Sequence, residues 1–364
     1  MKKNISIFIN SLDSGGAEKI ASLLINDLKS EYNLTLLLMN ETIKYDLQDF
    51  NKIHFLENAK LTENGILKLL KLPLLAWKYK NYCQNNKIDI SISLLSRPNY
   101  IAILSKLFGN KSTIVISEHS LPSKQYGSHT MQSKINRFLI KTLFNFADKI
   151  IAVSDASAID LKKNFFIEKK IKIVPNCIDI QEIKDKMAEK VNFDFSKFTY
   201  ITIGRLDAGK NHTMLIKAFA KLDFTAQLII IGEGELKKEL LTLIKKLDLD
   251  DKVFLLGYKS NPYKYLSKSD CFVFTSNYES FGIVLLEAMA CNLPIIATAS
   301  KGPIEILNTR CNYEKLLPID DIKSLFNLMN EIYKNDLKRS LLKNKSQECI
   351  KNFINKNIGR DYII

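Results

Sequence analysis

The sequence predicts an α/β protein built as two doubly wound domains, and three observations carry that expectation. Short apolar runs alternate with helical stretches along the chain, as in a mostly parallel sheet covered by helices on both faces. The alternation breaks at a charged stretch near residues 180–190 and then starts again. A chain of 364 residues is also longer than one hydrophobic core comfortably serves.

In the first half, ISIFIN (5–10), LTLLLM (34–39), KIHFL (52–56), IDISISLL (88–95), TIVISEH (113–119), KIIAVS (149–154) and KIKIVPN (170–176) read as strands. GAEKIASLLINDLKS and the segment near 130–145 read as helices between them. NCID and the charged helix IQEIKDKMAEK follow, and the linker is expected near 178–195. The second series opens with FTYITIGRLDAGKNHTMLIKAFAKL. Strands QLIIIGEG, KVFLLGY, CFVFTS and PIIATA come after it, separated by LKKELLTLIKKL, NPYKYLSKS and IVLLEAMA. The halves match in architecture only, without a sequence repeat or low complexity. The expected domains are 1–178 and 179–345, with a helical tail over 346–364.

Hydrophobic residues make up 46% and charged ones 25%, ordinary values for a globular protein. No apolar run approaches the length of a bilayer-spanning helix. MKKNISIFIN has a basic opening but no small-residue cleavage site, so it reads as a first strand rather than an export signal. Cys83, Cys177, Cys271, Cys291, Cys311 and Cys349 lack metal-like spacing and read as small buried hydrophobes of a protein working in the reducing cytosol. His54, His119, His129 and His212 do not fall at ligand spacing either, so no metal is expected. The net charge of +14, stronger in the first half, suits a nucleotide diphosphate or an anionic membrane. Nothing resembles a zinc finger, an RNA-recognition core or a Walker loop, and no nucleic-acid partner is expected.

Two carboxylates eight residues apart, Glu279 and Glu287, bracket Phe281 and Gly282 in NYESFGIVLLEAMA. The strand CFVFTS ends just before them, so Glu279 falls in the loop at its carboxyl end and Glu287 in the following helix. Ligands of open α/β sheets bind at that edge, where helix N-termini favour anions. Alone, such a pair is as readily a solvated surface feature. Further elements stand at equivalent places. Gly15 and Gly16 follow the first strand, where glycines let the backbone turn and approach a ligand; a tight β–α turn accounts for them equally well. Arg205 and Lys210 follow the strand that opens the second domain, and two cations there suit a diphosphate leaving group as its negative charge builds. His119 follows TIVISE; a lone histidine is more often structural, although a strand-end position favours contact with a ligand. Gly232, Glu233 and Gly234 form a third loop, after QLIII. Two such domains make a cleft between them the expected site.

Together these motifs resemble the EX7E, Gly-Gly turn, GR-x-x-x-x-K and first-domain histidine elements of the retaining, nucleotide-sugar-dependent glycosyltransferases of family 4, which have the two-domain GT-B architecture. The resemblance implies a C-terminal helix crossing back to the first domain and sugar transfer from a UDP-sugar without a metal or other cofactor. It implies that Arg205 and Lys210 clamp the donor diphosphate and that Glu287 accepts from the ribose hydroxyls. Phe281, Gly282, Ile283 and Val284 would cap the β-phosphate and sugar through backbone N–H groups. Glu279 and His119 would meet the transferred sugar, Gly15 and Gly16 the phosphates and acceptor, and Gly232, Glu233 and Gly234 the nucleotide. Lys259 and Asn261 are candidates for the nucleobase region. The family pattern also has glycines that this chain lacks: Asn292 stands in ACNLP, and CNYEKLL (311–317) has none, which would alter loop geometry near the donor sugar.

The stretches NSLDSGGAEK, ILKLLKLPLLAWKYK, SRPNYIA, FGNK, GRLDAGKNH and GEGELKKELLTLIKKL are further similar to the cytoplasmic glycosyltransferases of bacterial protein N-glycosylation. That implies UDP-GalNAc as donor, a polyprenyl-diphosphate-linked glycan (undecaprenyl diphosphate) as acceptor, an α-1,4 linkage, and peripheral work at the cytoplasmic face of the inner membrane. Residues 66–83 interleave leucines with Lys68, Lys71, Lys78 and Lys80 beside Trp77 and Tyr79. From the residues, this is either a basic interfacial helix or a helix pair covering the sheet. The lipid-linked acceptor favours an anionic inner-membrane surface, with Lys134, Arg137 and Lys141 as a second basic patch. Transfer of galactose, glucose or N-acetylglucosamine to a lipopolysaccharide, O-antigen or capsule precursor is the neighbouring alternative. A missing GxGxxG argues against an epimerase or dehydrogenase, and the missing export signal against a periplasmic binding protein.

Overall fold

The computed structural model of the chain describes residues 2–13, 15–45, 47, 50–57, 65–313, 316–354 and 357–363. They form two compact units, one of Met1–Asn176 with Asn355–Ile364, the other of Cys177–Ile354.

In the first unit, β1 (Asn4–Ile9), β2 (Asn33–Leu38), β3 (Ile53–Phe55), β4 (Ile90–Leu94), β5 (Thr113–Glu118), β6 (Lys149–Ala152) and β7 (Ile171–Ile173) form a parallel sheet in the order β3-β2-β1-β4-β5-β6-β7. These are the strands expected from the apolar runs. Their residues are apolar on both faces because helices cover both: Ile5, Ile7, Phe8, Ile9, Ile92 and Leu94 are fully buried. Ser6 and Ser91 interrupt the run, and the buried Tyr79 hydroxyl lies between them, 2.9 Å and 2.7 Å from their oxygens. Burial therefore leaves none of these hydroxyls without a partner.

Tyr79 belongs to the helix Leu72–Asn85, which follows the shorter helix Gly65–Leu70. Leu72, Leu75, Ala76, Tyr79 and Cys83 face the core at helical spacing. The opposite face leaves Leu74 and Trp77 exposed, and the preceding short helix leaves Leu67 and Leu70 exposed, Leu70 to 71%. The buried face is that of a helix covering the sheet, one of the two readings of residues 66–83. Among the described residues, no helix is long and apolar enough to cross a membrane.

The second unit repeats the plan with β8 (Phe198–Ile203), β9 (Ala226–Ile231), β10 (Val253–Gly257), β11 (Cys271–Phe274) and β12 (Ile295–Ala297) in the parallel order β10-β9-β8-β11-β12. Each sheet reverses its direction of growth once, between β1 and β4 and between β8 and β11. Such switch points open a crevice beyond the strands' carboxyl ends.

The helical region near the C-terminus is broken. Ile322–Lys334 and Asp336–Ile350 are separated at Asn335, whose side chain caps the second helix by accepting from Lys338 N at 2.9 Å. Both helices lie in the second unit, so the segment that returns to the first unit is shorter than 346–364. There the helix Ile358–Ile363 is tied by Gly359 N donating to Asp27 Oδ2 (2.7 Å), and the Tyr362 hydroxyl lies 3.1 Å from Ser117 Oγ.

Two cysteines depart from the expectation of unpaired thiols. Cys83, Cys177, Cys271 and Cys291 are buried and outside any disulfide, but Cys311 and Cys349 form one with Cα atoms 5.1 Å apart. The end of the helical segment Ile304–Arg310 and the last turn of Asp336–Ile350 meet in space, a proximity that sequence spacing does not reveal.

Candidate active site

In the second unit, the switch between β8 and β11 brings together two loops that are far apart in sequence. The loop after β8 carries Arg205 and Lys210, and the loop after β11 carries Glu279. They are stitched by Asn277 N donating to Gly209 O (2.8 Å), Thr275 Oγ1 to Lys210 O (2.9 Å) and Asn277 Nδ2 to Ala208 O (3.2 Å). The outcome is a direct ion pair between Lys210 Nζ and Glu279, both largely buried, with the ammonium also 5.5 Å from the Phe274 ring centroid. Arg205 is held differently. Its side chain is 78% exposed and reaches Asp207 at 3.3 Å.

His212, the first residue of the helix His212–Phe219, faces inward, with Nε2 3.2 Å from Arg205 O. Burial lowers its pKa to about 4, so it is a neutral structural ring that fixes the start of the cation loop. Asn211 caps that helix from the left-handed region (φ 50°), accepting from Met214 N at 3.2 Å.

Beyond Glu279 the chain passes the buried Phe281 and reaches Gly282 at φ 97°, a conformation that side chains other than glycine rarely adopt. Ile283 and Val284 then open the helix Ile283–Ala290, with their N–H groups in its first turn. Glu287 lies on that helix, half-buried, and its Oε1 accepts from the Tyr263 hydroxyl at 2.9 Å.

The third loop is built by close backbone approach. Gly232 sits at φ 150°, and a Cβ there would meet Gly204 O at 2.0 Å; one on Gly234 would meet Leu206 O at 2.4 Å. Leu206 N donates to Glu233 O at 3.0 Å, so the loop braces the cation loop. The Glu233 side chain turns to Lys237, 3.0 Å away on the next helix. Asn261 is occupied in holding the backbone, accepting from Tyr263 N (3.0 Å) and donating to Lys186 O (2.8 Å). Lys259 lies over the Tyr265 ring, 5.9 Å from its centroid.

In the first unit, Gly15 caps the helix Gly16–Leu28 in an extended conformation (φ −158°) open to any residue. The sharp turn expected of it is absent. What glycine provides is room for Glu18, whose carboxylate would stand 2.3 Å from a Cβ at Gly15. His119 follows β5, its Nε2 3.0 Å from Ser117 Oγ. Burial lowers its pKa to about 3, which keeps it a neutral hydrogen-bonding ring. Glu118 points into the fold: its Oε1 accepts from Ser120 N and Oγ, and burial raises its pKa to about 7.

Some residues at these edges were not legible beforehand. Gly302, after β12, donates its N–H to Glu279 O at 2.9 Å and anchors the Glu279 loop; the Gly-Pro after PIIATA was its available signal. Glu57, after β3, accepts from Lys71 and Arg97, both at 2.9 Å. Burial alone would raise its pKa, but these two cations hold it below the usual carboxylate range. No sequence pattern linked Glu57 to Arg97, forty residues away.

The glycines missing from the family pattern are replaced in kind. Asn292 adopts φ 60° directly after Cys291 caps the Glu287 helix, and Asn312 adopts φ 45°. Asparagine tolerates this region better than other side chains do, so both turns take a backbone conformation open to glycine. Glu314 and Lys315 of CNYEKLL lie outside the described residues. Among the described residues, no group of three His, Cys, Asp or Glu side chains could hold a metal ion.

Comparison with known proteins agrees with this arrangement. Residues 14–182 match Glycosyltransferase Family 4, and residues 183–352 match Glycosyl transferases group 1. A Campylobacter jejuni protein named N-acetylgalactosamine-N,N'-diacetylbacillosaminyl-diphospho-undecaprenol 4-alpha-N-acetylgalactosaminyltransferase is 42% identical over 360 residues, covering 99% of this chain and 98% of that protein. A second protein of that organism, the GalNAc-alpha-(1->4)-GalNAc-alpha-(1->3)-diNAcBac-PP-undecaprenol alpha-1,4-N-acetyl-D-galactosaminyltransferase, is 28% identical and covers 95% of this chain and 93% of its own length. Among solved structures, sucrose-phosphate synthase from Thermosynechococcus elongatus superposes with a TM-score of 0.83 at 19% identity, covering 99% and 97% of the two chains. Anabaena HepE in complex with UDP and glucose gives 0.79 at 21% identity, covering 98% and 97%. Those two share the fold. With the near full-length similarity to the first Campylobacter enzyme, the chain belongs to the family 4 glycosyltransferases of GT-B architecture.

Proposed function

We propose that this enzyme is a retaining N-acetylgalactosaminyltransferase that moves GalNAc from UDP-GalNAc to an undecaprenyl-diphosphate-linked oligosaccharide, in α-1,4 linkage, during protein N-glycosylation. The observation that carries the reading is the 42% identity, over nearly the full length of both chains, to a Campylobacter enzyme of that name. The motifs likewise resemble those of PglJ.

In this reading Lys210 and Arg205 receive the donor diphosphate. As the bond between the anomeric carbon and the β-phosphate oxygen breaks, charge builds on the leaving UDP, and two cations stabilise it without a metal. Lys210 is already desolvated and aimed by Glu279, while the exposed Arg205 is open to close on the phosphates. The N–H groups of Gly282, Ile283 and Val284 add a helix N-terminus to the same charge. Glu287 accepts from the ribose hydroxyls. The acceptor hydroxyl attacks the face that UDP leaves, and its proton passes to the departing phosphate oxygen, so bonds and protons balance without an enzyme nucleophile. Glu279 and the neutral His119 hold sugar hydroxyls.

The exposed Leu67, Leu70, Leu74 and Trp77, with Lys68 and Lys78 beside them, rest on the anionic inner-membrane surface and bring the lipid diphosphate within reach. Each lysine near such a surface contributes about 1 kcal/mol. The chain then works as a peripheral protein at the cytoplasmic face.

The test is product mass after the purified protein meets a synthetic polyprenyl-diphosphate disaccharide and an equimolar panel of UDP-sugars in EDTA. One N-acetylhexosamine increment, drawn only from UDP-GalNAc, is expected. Extension of a lipopolysaccharide-type acceptor instead would move the enzyme to another glycan pathway.

A further inference from the structure

Glu287 does not stand alone in its helix. Tyr263, 24 residues earlier, is only 5% exposed, and its hydroxyl donates to Glu287 Oε1 at 2.9 Å. The ring is set by its own short helix, Tyr263–Leu266, which begins after Pro262. That helix is held from below: Asn261 Oδ1 accepts from Tyr263 N, Asn261 Nδ2 donates to Lys186 O, and Leu266 is fully buried. A buried tyrosine hydroxyl needs a partner, and here the partner is a half-buried carboxylate at the carboxyl edge of the sheet. Phenylalanine would fill the same space. The hydroxyl is therefore the informative atom.

We propose that Tyr263 is a positioning residue that fixes the Glu287 carboxylate for the ribose hydroxyls of the donor nucleotide, and so makes the enzyme selective for ribose over deoxyribose. The inference rests on the ribose role given to Glu287 above. A carboxylate offers about four lone-pair directions. The Tyr263 hydroxyl occupies one on Oε1 and restrains rotation about the carboxyl bond, which orients the carboxylate before the nucleotide arrives. A pre-set acceptor loses less freedom on binding and penalises more strongly a ligand that leaves it unsatisfied. Tyr263 touches no reacting atom, so its loss should appear in nucleotide affinity rather than in turnover at saturation.

Calorimetric titration of UDP and of 2′-deoxy-UDP into wild type, Tyr263→Phe and Glu287→Gln tests this. Wild type should prefer UDP. Tyr263→Phe should lose roughly five- to tenfold in UDP affinity, the size of one ordinary net hydrogen bond, while its affinity for 2′-deoxy-UDP changes much less. In turnover assays the loss should appear in KM with kcat within about twofold. Misfolding would weaken both nucleotides equally, so the comparison carries its own control. If Tyr263→Phe binds UDP like wild type while Glu287→Gln binds it poorly, Tyr263 is only core and the inference fails. If Glu287→Gln retains both affinity and ribose preference, the ribose role of Glu287 itself fails, a separate and recognisable result.

Discussion

The helix that carries Glu287 ends at Cys291, and the chain leaves it through Asn292 at φ 60°. Asn292 N donates to Met289 O and Leu293 N to Ala288 O, the paired bonds of a Schellman end. The left-handed residue costs an ordinary L side chain about 1–2 kcal/mol, less for asparagine and nothing for glycine. Asn292→Gly should therefore leave stability within about 0.5 kcal/mol of wild type or improve it, whereas Asn292→Ala should cost about 1 kcal/mol. Urea midpoints of the two variants measure this, and equal loss in both would mean that the asparagine side chain, not its backbone angle, is what matters. The sequence displayed a missing glycine at this point and suggested altered geometry. That a polar residue occupies the same backbone region is not written in its identity, because asparagine is equally common in ordinary turns.

At the level of elements, the strand order decides which loops meet. Apolar runs and turn residues located the strands, since periodicity and breakers are local signals. Nothing local states that β8 lies beside β11, so the contact of Lys210 with Glu279 was not legible in the sequence. The same limit hid Tyr263, which reads as an aromatic in a short loop until the β10–β11 connection is folded against the Glu287 helix. The brace between the loops after β8 and β9 is equally non-local, and it supports a sharper prediction. A Cβ at Gly232 would overlap Gly204 O at 2.0 Å, and the backbone there is at φ 150°. Both backbones must move, at a cost of roughly 2–3 kcal/mol, and the Arg205 loop moves with them. Gly109 provides the comparison, at φ 94° with nothing within 4 Å of its Cβ position; Gly109→Ala should cost only about 1 kcal/mol of strain. Gly232→Ala should also weaken UDP binding while Gly109→Ala does not, and UDP titration of the two variants separates strain alone from strain transmitted to the site.

For the molecule as a whole, acid should act unequally on the two units. Each buries one neutral histidine: His119 in the first, lowered by burial to about 3, and His212 in the second, lowered to about 4. Unfolded, either ring takes a proton near pH 6.5. Their stabilising contribution is therefore complete above that value and declines as pH falls toward the folded-state pKa, because the unfolded chain binds the extra proton. Glu118, in the first unit, has the opposite sign. Burial raises it to about 7, so between about 4.3 and 7 the folded form holds the proton and acidification favours folding. From pH 7 to 5 the two effects in the first unit oppose one another, while His212 acts without such an offset. The second unit should lose stability first. Trp77, the sole tryptophan, reports on the first unit, and far-ultraviolet dichroism reports on both. Urea transitions followed by the two probes should lie closer together at pH 7 than at pH 5, with the dichroism transition moving earlier on acidification. His212→Gln, whose amide can still reach Arg205 O, should abolish that movement; an unchanged separation between the probes in this variant would assign the acid sensitivity to other groups.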